Sequence, residues 1–140
     1  MPNPIVNDPI DSDGWHIWDM SEAGTWPATW APVRYRHEGD HIAIRAEAPA
    51  HSANTLGNIH GAFLAGLAEH VAGVFLRVAD IPCVTISIAF DYPAGVFLGQ
   101  TLEGRVEMIR ETGRMQFLRL LIEQGGNVAI HGTATLRKLK

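Results

Sequence analysis

Apolar and polar residues alternate with period two through Val33-Arg-Tyr-Arg and Ile42-Ala-Ile-Arg-Ala-Glu-Ala, on either side of His37-Glu-Gly-Asp40. This pattern predicts two strands joined by a tight turn. Pro49 to Gly57 is rich in Pro, Ser, Asn, His and Gly and reads as a loop. Beyond it Phe63, Leu64, Leu67, Val71, Phe75 and Val78 recur at helical spacing, so one long helix is expected. After Pro82 the helical period is lost. Val84 to Tyr92, Leu102 to Ile109, Met115 to Ile122 and Val128 to Leu136 each read as a strand. Pro93-Ala-Gly95, Thr112-Gly113 and Gly125-Gly-Asn127 supply the turns between them. Two strands, one helix and four strands is an α+β order. No second long helix covers the other face of the sheet, so the sheet is expected to curl around the single helix and to shield its remaining surface elsewhere, oligomerisation being one route.

The 140 residues, 46% of them hydrophobic, suit one domain with a substantial core. Residues 1–31 differ in character from the body at 32–140. They combine Pro, Asp, Ser and Gly with Trp15, Trp18, Trp26 and Trp30, and four large rings demand burial, so this arm is expected to pack on the body. The formal net charge of −4, with no basic stripe beyond the Arg137-Lys138-Leu139-Lys140 end, argues against nucleic acid as a partner. The single cysteine, Cys83, rules out an internal disulfide framework and a cysteine-rich zinc site, which fits a reducing, cytoplasmic setting. The N-terminal residues lack a basic segment followed by an apolar core. The longest apolar run, Ile59 to Ala79, is interrupted by His60, Glu69, His70 and Arg77, so neither secretion nor a membrane partner is expected.

Candidate chemistry concentrates in Asn54 to Glu69, where a polar loop runs into the helix. A helix start exposes backbone N–H groups and the positive end of the helix dipole, which makes the Asn58–Gly61 region a ready site for a developing oxyanion. Glu69 lies about two turns further on. At about 100° per residue it shares its side with Ala62, Ala65, Gly66, Ala72 and Gly73, away from the Leu64/Leu67/Val71/Phe75 stripe. A wet face normally carries Lys, Glu and Arg. Small residues here let another backbone or a slender ligand approach, at a helix-propensity cost of about 1 kcal/mol per Gly. Glu69 is therefore expected in a crevice, where burial would suit it to proton transfer; the alternative is a lone glutamate on an ordinary solvated face.

Asn54, the run Gly57-Asn-Ile-His-Gly61 and Leu67-Ala-Glu69 resemble the signature of hotdog-fold acyl-CoA thioesterases, in the PaaI-like and Arthrobacter-type 4-hydroxybenzoyl-CoA thioesterase branch. The resemblance continues through Val84 to Tyr92, Gly99 to Gly104 and His131 to Thr135, from about Val33 to the end. It implies a hotdog fold, an antiparallel sheet of five to six strands wrapped around one long central helix. It also implies a homo-oligomer, dimer or tetramer, with active sites at the dimer interface. By position it places the catalytic carboxylate on Glu69 and the carbonyl-polarising N–H on Gly61. A polar helper falls on Asn54, a loop histidine on His60 and a strand hydroxyl on Ser87. Two departures are visible: Ala62 stands where the family has a second glycine after His-Gly, which could narrow the pocket mouth, and Gly73 replaces a threonine used by some members one turn after the carboxylate.

The expected reaction is hydrolysis of an aromatic or medium-chain acyl-CoA to free acid and CoA, with the Gly61 N–H stabilising the oxyanion and Glu69 as general base or nucleophile. No metal or redox cofactor is required, coenzyme A being part of the substrate. Asn58 and Ala62 border the expected substrate site, and Arg110 and Arg114, flanking the Thr112-Gly113 turn, are candidates for the anionic nucleotide end of CoA; the alternative for both arginines is a solvated turn. His60 has two open roles, capping the helix or orienting substrate. Ser87 and Asp91 also read simply as sheet surface. Seven histidines invite a metal reading, but no His-Glu-x-x-His is present, and His37 with His41 straddles a predicted turn. Cys83, after Pro82 at a strand start, reads as packed because nothing activates it. Two rival functions are a non-catalytic acyl-CoA or acyl-carrier binding module, which would not depend on Glu69 for binding, and an enoyl-CoA hydratase. The hydratase pattern of an acidic residue and a histidine in the loop before the helix is not found.

Overall fold

The computed structural model describes residues 8–139. Its strands are β1 (His16–Trp18), β2 (Val33–Glu38), β3 (His41–Ala46), β4 (Cys83–Asp91), β5 (Leu102–Glu111), β6 (Met115–Gln124) and β7 (Asn127–Lys138), and its helices are α1 (Gly61–Ala72) and α2 (Val74–Ala79). All seven strands form one antiparallel sheet in the order β1-β2-β3-β5-β6-β7-β4.

The expected sheet of five to six strands is thus corrected to seven. The extra strand is His16-Ile-Trp18 of the arm, paired antiparallel with Val33 to Tyr35. Three residues are too short to carry a period-two signal, and the strand exists because β2 offers it a hydrogen-bonding edge. The first seven residues of the expected arm lie outside the described residues.

The apolar stripe reaches the core through α1, while its last two members, Phe75 and Val78, are only partly buried. Phe63, Leu64, Leu67 and Val71 are buried with Ala68, Ala72, Val74 and Leu76 against Ile42, Ile44, Leu102, Val106, Leu118, Leu120, Ile122, Ile130 and Leu136 from the sheet. The sheet therefore wraps the helix, and the polar partners of these strand residues point outward. The expected single helix has a break. Gly73 (φ −82°, ψ 5°) closes α1, its N–H donating to the carbonyls of His70 and Val71, and starts α2. A glycine costs helix propensity, and here the ladder tightens at it. The stretch 61–79 is long and apolar enough by composition to cross a membrane, but its apolar stripe is spent on the sheet.

β4 stands at the edge of the sheet, pairing only with β7 among the described strands. Val84, Ile86 and Ile88 on it are 43%, 53% and 41% exposed.

Candidate active site

The loop before α1 is pinned by its own backbone. Asn54 Oδ1 accepts the N–H groups of Leu56 (2.9 Å) and Asn58 (3.0 Å), and the Asn54 N–H donates to the Asn58 carbonyl at 2.7 Å. The His60 N–H donates to the Ser52 carbonyl at 2.7 Å, and that of Ile59 to the Val96 carbonyl at 2.9 Å. Asn54 therefore braces the loop through the side-chain oxygen that a helper role would use, an Asx-turn arrangement.

His60 is the N-cap of α1, with extended backbone angles and Nδ1 accepting the Ala62 N–H at 2.9 Å. That bond fixes which ring nitrogen is the acceptor and uses one of the orphan donors of the first turn. The Gly61 N–H has no acceptor among the described residues. A side chain at Gly61 would meet the Tyr92 ring at 3.6 Å, so Tyr92 stands over this amide. Asn54, Asn58, Gly61, Leu64 and Tyr92 line a cavity of about 190 Å³ beside it.

Glu69 is exposed, and Thr85 Oγ1 of β4 donates to its Oε1 at 3.3 Å. The crevice expected around Glu69 is not found in this chain: the carboxylate lies on an exposed face, because no element among the described residues packs over it. Of the small residues on its side, Ala72 is fully buried and Gly66 is covered, while Ala62 and Glu69 remain exposed. What covers Gly66 is Trp26 of the arm, two of whose ring carbons lie 2.5 and 2.7 Å from where a Gly66 Cβ would be. The open strip from Ala62 to Glu69 thus runs between the arm on one flank and β4 on the other.

His70, next in sequence to Glu69, turns away from the strip. Its ring stacks on Trp18 at 4.3 Å and meets Trp30 edge-on at 5.6 Å. Burial, and then the charge of Arg77, hold its pKa down to about 4. Burial pushes the Cys83 thiol up, which keeps it protonated and unreactive.

Asn54, Asn58, His60, Gly61 and Ala62 come together at the start of α1. Ser87 lies on β4 two residues beyond Thr85, across a register irregularity, with an exposed side chain. Arg110 is the penultimate residue of β5 and Arg114 lies in the β5–β6 turn just before β6, both exposed. That turn lies at the end of the sheet where Thr85 sits: Thr85 pairs with Leu136, which pairs with Gln116. Two strand spacings, about 10 Å, separate the two positions. Among the described residues no three His, Cys, Asp or Glu side chains are grouped so as to hold a metal. Thr85 is the neighbour that sequence reasoning missed, while Tyr92 and the N-terminal tryptophans, Trp26 among them, read in sequence only as aromatic surface for an acyl group or as core. The one local signal for Trp26 was Gly66, an isolated glycine inside a helical pattern, which often marks close packing.

Comparison with known proteins bears on this geometry. The model of the thioesterase superfamily matches residues 56–130. No curated protein matches the chain in sequence. Among solved structures, the chain is similar to a hypothetical thioesterase of Streptococcus pneumoniae with coenzyme A, at TM-score 0.71 and 18% identity over 79% of this chain and 88% of that one. A thioesterase of Haemophilus influenzae gives TM-score 0.71 and 16% identity over 84% and 85%. A mutant of the phenylacetic acid degradation protein PaaI of Thermus thermophilus gives 0.63 and 22% over 76% and 93%.

Proposed function

As the chain belongs to the thioesterase superfamily, with the hotdog fold, and is a thioester hydrolase, we propose that it hydrolyses an aromatic or medium-chain acyl-CoA at the exposed strip of α1. The observation that carries this reading is that α1 presents both groups, an N–H without an acceptor at its first residue and an exposed carboxylate eight residues on, about 12 Å along the axis and about 80° around it, so that a second copy of the chain is needed to bring such a pair onto one thioester. A thioester carbonyl oxygen placed on the Gly61 N–H gains a donor that costs no reorganisation as negative charge develops; losing such a donor typically costs roughly 2.7–4 kcal/mol of barrier.

Glu69 contributed by the second copy of the chain then acts on the carbonyl carbon, either bonding to it directly or taking a proton from a water that does. The tetrahedral species collapses by breaking the C–S bond, and the sulfur leaves as thiolate and takes up a proton to give CoA; in the water route the acid is released at once, and in the direct route the acyl–Glu69 anhydride left behind is hydrolysed by a water, which frees the acid and restores the carboxylate. The Thr85 hydroxyl, donating to Oε1, holds the carboxylate toward the strip. Asn58 and Ala62 border the acyl end, and Asn54 shapes the loop that presents Gly61. Arg110 and Arg114, free of ion pairs among the described residues, supply positive charge for the CoA phosphates, and Ser87, in one cross-strand row with Arg110 through Thr135 and Phe117, adds an accessory hydroxyl. The unpaired edge of β4 fits a second copy of the chain, a dimer that would close the crevice around Glu69.

The test is free-thiol release from a panel of aryl-, short- and medium-chain acyl-CoAs by wild type and Glu69→Gln. The variant is expected to keep its fold and to lose turnover by a factor on the order of 100 or more. Wild type that binds acyl-CoA yet releases no thiol from any member would point instead to a binding module, and loss of enoyl absorbance without thiol release to a hydratase.

A further inference from the structure

Trp26 is half exposed, at 52%, although a large indole gains most from burial. It is nonetheless firmly held. It opens the short 3₁₀ turn Trp26–Thr29, with Pro27 next to it, and Thr29 Oγ1 donates to its carbonyl at 2.8 Å. Its ring meets Trp30 edge-on at 5.1 Å, and buried Trp30 meets Phe63 of α1 edge-on at 5.2 Å. The other side of the ring lies on bare helix backbone, because residue 66 is glycine.

On a helical projection Ala62 and Glu69 fall almost on one line and Gly66 about 60° or less to the side. A ring over Gly66 therefore stands beside the strip along its middle. It also borders a cavity of about 170 Å³ together with Ser52, Ala53, His60, Ala62 and Phe63. A cavity of about 150 Å³ is enough to hold one benzene ring, and this one, open on its outer side, offers a ring a seat against the indole. Trp26 lies in the arm, outside the stretch 56–130 that matches the superfamily.

We propose that Trp26 is the specificity-determining wall of the acyl site, and that the acyl group it admits is a single aromatic ring lying against the indole. This rests on the thioesterase reading above. It narrows the substrate class from aromatic or medium-chain to aryl: a ring seated in the cavity gains an aromatic pair with the indole, while a long straight chain gains no such pair.

The test compares kcat/KM for benzoyl-CoA and dodecanoyl-CoA in wild type, Trp26→Ala, Trp26→Phe and Gly66→Ala. In Trp26→Ala the benzoyl preference is expected to fall by about tenfold, carried mostly by KM, as loss of one aromatic pair predicts. Trp26→Phe keeps a ring and most of the preference. Gly66→Ala leaves the indole in the chain but pushes it off the helix with a methyl, in a residue that favours helix, and is expected to shift the preference in the same direction; it carries the test if Trp26→Ala does not fold. An unchanged benzoyl-to-dodecanoyl ratio in folded Trp26→Ala and Gly66→Ala overturns the proposal, as does a variant whose only change is loss of subunit association by sedimentation. If wild type releases no thiol from either substrate, the thioesterase reading fails on its own, and the wall is judged by binding: weaker benzoyl-CoA binding in Trp26→Ala with equal binding of free CoA supports it, and equal benzoyl-CoA binding overturns it.

Discussion

Glu69 and His70 are neighbours in the chain with opposite fates. One is left in solvent beside Thr85, and the other is pressed between Trp18 and Trp30 with Nε2 unpartnered among the described residues. The imidazole is neutral when folded, its pKa lowered from 6.5 to about 4 by burial and by Arg77. Between those values the unfolded chain binds a proton that the folded chain does not, so stability falls as pH drops through this window and this contribution levels off below about 4. The loss should be on the order of 2 kcal/mol. Glu107, lowered by Arg119 and Arg105, and Glu111, lowered by Gln116 and Lys138, have their effects below their ordinary 4.5. Urea midpoints between pH 6.5 and 4.5 should therefore fall in wild type and stay nearly flat in His70→Phe; a parallel fall in the variant would place the effect elsewhere. At this scale the sequence showed which residue types could do chemistry, Glu69 and Gly61 above all, because periodicity separates helix faces. It did not show that His70 meets two indoles from the arm or that Thr85 meets Glu69, because those contacts join segments far apart in the chain.

The arm is tied to the body by a buried ion pair. Asp8, 7% exposed, accepts from Arg77 Nη2 at 2.7 Å and Nε at 3.2 Å and from the Tyr35 hydroxyl at 2.7 Å, joining the arm to α2 and β2. Burial and then Asp8 push the Tyr35 hydroxyl pKa up, so it remains a donor. Removing one partner strands the other: Arg77→Met should cost roughly 3 kcal/mol, measured by chemical unfolding, with Asp8→Leu/Arg77→Met recovering part of the loss. A second element-scale dependence is Gly132 of β7, where a Cβ would lie 1.9 Å from the Ala89 carbonyl oxygen of β4. Gly132→Ala should destabilise by about 3 kcal/mol or more, since backbone and not a flexible side chain is in the way. Hydrogen exchange would show the loss first in β4; unchanged protection there would refute the account. The strands β2 to β7 were legible because they are long enough for period two to stand out. β1 and the break at Gly73 were not, since one depends on an available strand edge and the other on local hydrogen bonding at a residue without a side chain.

For the whole molecule, the open edge of β4 and its apolar side chains lead to an expected self-association. Ile88→Lys places a charge in that surface and should shift the sedimenting species toward monomer. Because no crevice forms around Glu69 in one chain, thiol release should fall with it; a variant that sediments as wild type would argue against this edge as the contact. The sequence by itself determined the α+β order, the antiparallel sheet around an apolar helix stripe, and the loop-to-helix stretch that carries Gly61 and Glu69, because hydrophobic spacing and turn chemistry are local and repeat often enough to read. Only the tertiary structure decided that the arm adds a strand, that Trp26 lies over Gly66 beside the strip, that Asn54 spends its side-chain oxygen on its own loop, and that Glu69 stays exposed in a single chain. Each of these depends on which distant surfaces meet, and spacing along the chain says which face a residue occupies but not what comes to rest against it.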